Sequence, residues 1–383
     1  MSSAASTCGQ LFYRLVTSPE LLLKYRNCPD LEQLLQGLVT DLNVEGLSST
    51  QLFDEIQQGG QQILPIPLTT LRSSWLPSGY QAQKQQCSWR LKPPALPFAP
   101  FYDDRLSKGS GNSLLSALLR PVTELQHLLT QAHCIDRRRP AGFIFHLSRC
   151  GSTLLANALA ATGVVQVISE ASFLTDLLLD HALANDQKNL ALQTLLSLFE
   201  LPTMVKFNAW DTGFLPLLRR AFPDTPILFL IRDPFSILVS HRRFAGIHMV
   251  PATPVARYLN VPMSDSPFGH HCAVLKQLMT TMYQQHQASI KVLDYDQLSP
   301  AGVTSIEVIE QVCKYFSLPL SLSQRQGIID IISHDAKAPE QRFIAKDGDK
   351  HHDFAHSEFR FIQQRLMPEY VLLLSLVERI PSD

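Results

Sequence analysis

From Gly142 onward the chain repeats one pattern, a short and nearly continuous apolar run followed by a segment with helical spacing. The runs are Phe143–Leu147, Val164–Ile168, Met204–Phe207, Pro226–Ile231 and Ile290–Leu293. Between them lie Ser152–Ala161, Ser172–Leu183, Thr212–Phe222, Phe235–Ala245 and His270–Gln287. A strand that is apolar on both faces cannot leave one face in water. Helices must therefore cover both sides, which predicts an α/β fold with a parallel sheet flanked by helices. Ligands of such sheets sit beyond the carboxyl ends of the strands, so chemistry is expected there. Helices near Ser305–Phe316, Ser321–Ser333 and Ser357–Glu378 complete the chain.

The first 140 residues read differently. Leu11, Leu15, Leu21 and Leu22, then Leu31, Leu35, Leu38 and Leu42, recur at helical spacing and predict a small helical region ending near residue 58. The turn-like run Gln57–Gln62 and prolines at 65, 67, 77, 93, 94, 97 and 100 then indicate a loop-rich connection with room for short strands. A second helical stretch runs from Ser113 to about Cys134, and Arg137–Arg139 read as a solvated basic turn, with a helper site for an anionic ligand as the alternative. The expected organisation is a mostly helical N-terminal extension over 1–140 before an α/β domain over 141–383. The extension could shape a pocket, pair protomers as a homodimer, or recognise a carrier protein.

Bulk properties narrow the classes. With 45% hydrophobic and 17% charged residues among 383, the chain can build a sizeable core. A net charge of −1 supplies no field for nucleic acid or anionic membrane, so any anion site must be local. Seven scattered cysteines without a CxxC pair read as thiols in a reducing compartment. Met1–Cys8 lacks a basic region followed by an apolar run, and no stretch reaches ~18 apolar residues. A cytoplasmic protein without a membrane span or a nucleic-acid partner is expected.

The most informative segment is Phe143-Ile-Phe-His-Leu-Ser-Arg-Cys-Gly-Ser-Thr-Leu-Leu155. A strand enters Ser148-Arg-Cys-Gly151 and a helix opens at Ser152. Gly151 permits a tight turn, and the amides of the first helical turn, with the hydroxyls of Ser152 and Thr153, can cradle an anion. A nucleotide triphosphatase would place Lys directly after the last Gly of GxxxxGK[ST]. Here Ser152 stands there, and the cation, Arg149, precedes the turn. A Cys-x5-Arg phosphatase loop also fails, because Ala156 occupies the Arg position.

On these residues the chain resembles the sulfotransferase superfamily, whose loop for a 5′-phosphosulfate has this pattern. A second element carries the same resemblance. Pro226-Ile-Leu-Phe-Leu-Ile-Arg-Asp-Pro-Phe-Ser-Ile-Leu-Val-Ser-His241 is similar to the family's 3′-phosphate motif, in which an Arg at a strand end and a Ser eight residues later (240 − 232 = 8) grip that phosphate. The resemblance runs from about 142 to 318 and is nearest to tyrosylprotein sulfotransferases and related bacterial proteins. Glu170 follows the second strand, Lys206 ends the third, and Val292–Leu298 matches a segment that touches nucleotide through a Tyr.

The resemblance implies a cosubstrate, 3′-phosphoadenosine 5′-phosphosulfate (PAPS), with no metal required. It also implies transfer of sulfonate to a hydroxyl or amine of an acceptor left unidentified. Catalytic roles fall to Glu170 as general base and to Lys206 and Arg149 as cations. Nucleotide contacts fall to Arg149, Cys150, Gly151, Ser152, Thr153, Leu154, Arg232, Ser240 and Tyr295, with Lys346 in a late basic loop. Trp210 and Asp211 would line the acceptor pocket. Two alternatives remain open: a non-catalytic protein that binds adenosine 3′,5′-bisphosphate (PAP) on the same fold, and an ATP-using P-loop kinase or NTPase. His352 and His356 have metal-like spacing but no third ligand.

Overall fold

A computed structural model describes residues 4–44, 46–97, 99–111, 113–262, 264–299, 304–334 and 353–378. Lys346 and His352 lie outside the described residues. The chain divides into two compact units, Met1–Arg139 with Ala171–Glu200, and Pro140–Glu170 with Leu201–Asp383. The segment after Glu170 thus belongs with the N-terminal unit.

In the first unit, helices Ala4–Val16, Pro19–Tyr25, Leu31–Asp41 and Ser49–Gly59 bury Phe12, Leu15, Leu34, Leu38, Leu52 and Ile56. Side chains stop the chain from fraying at two helix starts. Asp30 accepts from the Gln33 amide, and Ser48 forms a reciprocal capping box with Gln51. Strands β1 (Trp75–Gln81), β2 (Gln86–Leu91) and β3 (Val122–Glu124) form an antiparallel sheet. The single helix expected over Ser113–Cys134 is not formed. Pro121 cannot donate a helical hydrogen bond, so helix Leu114–Leu118 stops before it and the chain pairs as β3 instead. The expected helix from Ser172 ends at Leu179, and a second helix, Asn185–Leu196, follows.

The second unit holds the parallel sheet: β4 (Gly142–His146), β5 (Gln166–Ser169), β6 (Thr203–Lys206), β7 (Ile227–Ile231) and β8 (Ile290–Asp294), ordered β5-β6-β4-β7-β8. All four pairings are parallel. The sheet is covered on both faces, as continuous apolar strands require. Ile144, Leu228 and Leu230 join Leu155, Leu159, Val312 and Phe316 in one core. On the alternate positions Phe143 and Phe145 meet Phe207, with Phe145 and Phe207 stacked at 4.8 Å between ring centroids, and Phe229 packs edge-on against Phe145. Near the C-terminus one expected helix is two, His356–Arg365 and Met367–Leu374, because Pro368 interrupts the amide ladder. Among the described residues no helix is long and apolar enough to cross a membrane.

The chain leaves β4 for the far edge at β5, returns through β6 beside β4, and then crosses to β7 on β4's other side. That reversal opens a crevice at the carboxyl ends of the strands.

Candidate active site

Each strand of this sheet delivers a candidate residue at its carboxyl end. β4 runs into the loop carrying Arg149, β5 is followed at once by Glu170, and β6 ends in Lys206. Arg232 follows β7, and Tyr295 follows β8. Parallel pairing alone gathers these five residues on one edge.

The loop after β4 has an unusual backbone. Ser148, Arg149 and Gly151 all have positive φ, at 68°, 51° and 80°. Ser148 and Arg149 gain nothing intrinsic from that region, so the fold holds them there. Such left-handed turns aim successive N–H groups to one side and form an anion cradle. Gly151 caps helix Ser152–Ala161, whose positive dipole end faces the same place. A Cβ on Gly151 would lie 2.9 Å from Tyr295 ring carbons, so this position cannot carry a side chain without displacing the ring.

Cys150 turns its thiol into the core, and burial pushes it up to about 11, so it offers the cradle backbone and not sulfur. Leu154 is buried in the same way. Ser152 and Thr153 are buried in the first helical turn.

Around this loop the charged groups converge. Lys206 Nζ lies 2.5 Å from Glu170 Oε1 and donates to Thr153 Oγ1 at 3.2 Å. Burial alone would raise the Glu170 carboxyl, but the Lys206 charge and the facing His146 hold it well below the usual carboxylate range. Arg149 donates through Nη2 to the Phe244 carbonyl at 2.6 Å, while its Nε is buried without a partner. Arg232 donates to the Arg149 carbonyl at 3.0 Å and lies over the Tyr295 ring, 3.8 Å from its centroid. The Arg232 guanidinium therefore packs against the backbone of the anion loop and an aromatic face together. Asp233 caps helix Pro234–Arg243 by accepting from the Ser236 amide at 2.8 Å, and Ser240 lies two turns into that helix.

No family model and no curated protein sequence matches this chain. Among solved structures it is similar to a sulfotransferase from Alicyclobacillus acidocaldarius at 13% identity, covering 64% of this chain and 98% of that one with a TM-score of 0.40. It is also similar to a sulfotransferase from Mycobacterium avium at 12% identity, covering 72% and 86% with a TM-score of 0.41. A mouse sulfotransferase complexed with PAP is 13% identical, with coverage of 65% and 91% and a TM-score of 0.36. Function is accordingly read from the side chains.

Two histidines join the site that sequence reasoning did not select. His146 ends β4, with Nδ1 accepting from the Ser148 amide at 3.0 Å and Nε2 facing Glu170 Oε1 across 3.4 Å. The signal was present: a polar residue interrupts an otherwise apolar strand just before the loop. His248 is buried, and both its ring nitrogens lack hydrogen-bond partners. Its ring lies 5.3 Å from that of Trp210, whose indole nitrogen is also buried without a partner. Burial, together with the positive charges nearby, pushes His248 down to about 4. Nothing in its local sequence marks it.

Proposed function

We propose that the protein is a sulfotransferase that takes the sulfonate group from PAPS and passes it to an acceptor hydroxyl or amine. The observation that carries this reading is the adjacency of two anion grips. The left-handed loop Ser148–Gly151 with its helix start suits the 5′ end of the nucleotide, and Arg232, hydrogen-bonded to that loop at Arg149, suits the 3′-phosphate. Arg supplies the forked, charge-assisted donors that phosphate favours, and Ser240 adds a hydroxyl. Tyr295, already beneath Arg232, offers a ring face to the nucleotide. On Glu170, Lys206 and the segment Val292–Leu298, the resemblance is to tyrosylprotein sulfotransferases.

In this reaction the bond between sulfur and the acceptor oxygen or nitrogen forms as the bond between sulfur and the bridging phosphate oxygen breaks. The electron pair stays on the departing phosphate. Lys206 and Arg149 meet that growing charge, which stabilises the transition state more than the ground state. Glu170 takes the proton of the acceptor. Trp210 and His248, whose ring nitrogens are buried without hydrogen-bond partners, are the side chains we assign to the acceptor side.

Calorimetric titration tests the reading. The protein should bind PAP without Mg²⁺ and should not hydrolyse ATP when Mg²⁺ is supplied. ATP hydrolysis without PAP binding would favour the NTPase alternative. Binding without transfer to any acceptor or to water would favour the non-catalytic one.

A further inference from the structure

Among the described residues, His146 is the imidazole that touches both the anion loop and the carboxylate read as the base. It is 4% exposed, at the end of the central strand of the sheet. Its Nδ1 accepts from the Ser148 amide, so in the neutral ring the proton resides on Nε2. Burial favours that neutral form. Nε2 then faces Glu170 Oε1 across 3.4 Å, with no hydrogen bond formed between them in the free protein. Hydrogen bonds at catalytic groups are often long in the free enzyme and tighten when ligand binds.

Glu170 Oε1 is shared between His146 and Lys206, and Lys206 also reaches Thr153 in the first turn after the loop. An anion seated in the loop competes for the Lys206 ammonium and draws it from the carboxylate. The geometry points to His146 as the positioning residue that keeps the Glu170 carboxylate aimed at the acceptor once Lys206 turns to the nucleotide. This rests on the sulfotransferase reading, with Glu170 as base and Lys206 as the charge-neutralising cation. His146 itself takes no proton, because its only basic nitrogen is committed to the Ser148 amide. One ring thereby couples the conformation of the loop to the orientation of the base.

Two substitutions separate these contacts. His146→Asn places an oxygen near the position of Nδ1, so it preserves the bond to the Ser148 amide but cannot reach Glu170. His146→Gln places an amide nitrogen near the position of Nε2, so it preserves the reach to Glu170 and loosens the loop. The readouts are release of inorganic sulfate from PAPS, with water as acceptor, and the Kd for PAP. His146→Asn should slow sulfate release by roughly tenfold to a hundredfold, part of what general-base catalysis supplies, with little change in Kd. His146→Gln should recover most of the rate and bind PAP more weakly.

In a Glu170→Gln background, His146→Asn should cost no further rate, because the two residues act as one unit. An additive loss in that background, or parallel loss of rate and affinity in both variants, would overturn the inference while leaving the nucleotide site intact. If the wild-type protein binds PAP but releases sulfate no faster than PAPS in buffer, Glu170 does not activate water, and the positioning role falls with it. If PAP does not bind at all, the nucleotide reading itself fails.

Discussion

The ammonium of Lys206 and the carboxylate of Glu170 meet at 2.5 Å, delivered by the carboxyl ends of neighbouring parallel strands. The pair is buried on the lysine side, with no exposure of that side chain. On the proposed reading it holds the base in its charged form beside the cation that an incoming anion would draw away. A carboxylate so strongly stabilised is a weak base until the cation moves. On the proposed sulfotransferase reading, the pair would link proton removal to occupancy of the anion loop.

Replacing either partner should therefore separate binding from chemistry. Lys206→Met should lower sulfonate turnover by about 10²–10³, the usual cost of losing one charge-stabilising donor. Glu170→Gln should lower it by about 10²–10⁴. Glu170→Gln should retain PAP affinity, measured by titration calorimetry, and Lys206→Met should lose far less affinity than turnover. Near wild-type turnover in Glu170→Gln would remove the base assignment.

His248 gives a pH signature in folding stability. Its ring is held down to about 4 from an ordinary 6.5, so between those values the unfolded chain takes a proton that the folded protein refuses. The stability it contributes is whole above pH 6.5 and is lost as pH falls toward 4. Relative to a His248→Phe variant, the wild type should lose up to about 3 kcal/mol across that window. Denaturant titrations of both proteins at pH 7 and pH 4.5 measure the difference. Parallel stability curves would contradict the buried, neutral ring.

At Gly151 backbone and space act together. A φ of 80°, with ring carbons of Tyr295 only 2.9 Å from where a methyl group would stand, leaves no room for Ala. Gly151→Ala should destabilise the fold by about 1–3 kcal/mol and weaken PAP binding, as seen by thermal melts with and without nucleotide. A variant of unchanged stability would show that the loop relaxes freely.

The sheet was legible because its strands are short, apolar on both faces and regularly spaced, and the helix after the loop has the bounds expected, Ser152–Ala161. Two of the misread helices trace to proline. Pro121 and Pro368 each sit inside a run whose leucine spacing looked helical, and each breaks it by withholding an amide. Residues named from the loop and strand-end motifs, such as Glu170 and Lys206, converge because parallel pairing puts strand ends side by side. His248 was invisible for the opposite reason. It sits in a short turn, Ile247–Met249, with no periodicity, and only tertiary packing against Trp210 brings it into play. Ser240 was read from spacing alone, and its place two turns into helix Pro234–Arg243 follows from that spacing.

The claim on which the account rests is that the loop at Arg149 and the guanidinium of Arg232 hold two ends of one nucleotide. The direct measurement compares PAP and AMP binding in the wild type and in Arg232→Ala. These ligands differ only in the 3′-phosphate, and a lost charge-assisted phosphate contact is worth about 1.5–3 kcal/mol, roughly a tenfold to hundredfold change. The account predicts that loss for PAP, with AMP affinity nearly unchanged. Equal losses for both ligands, or none for PAP, would contradict it.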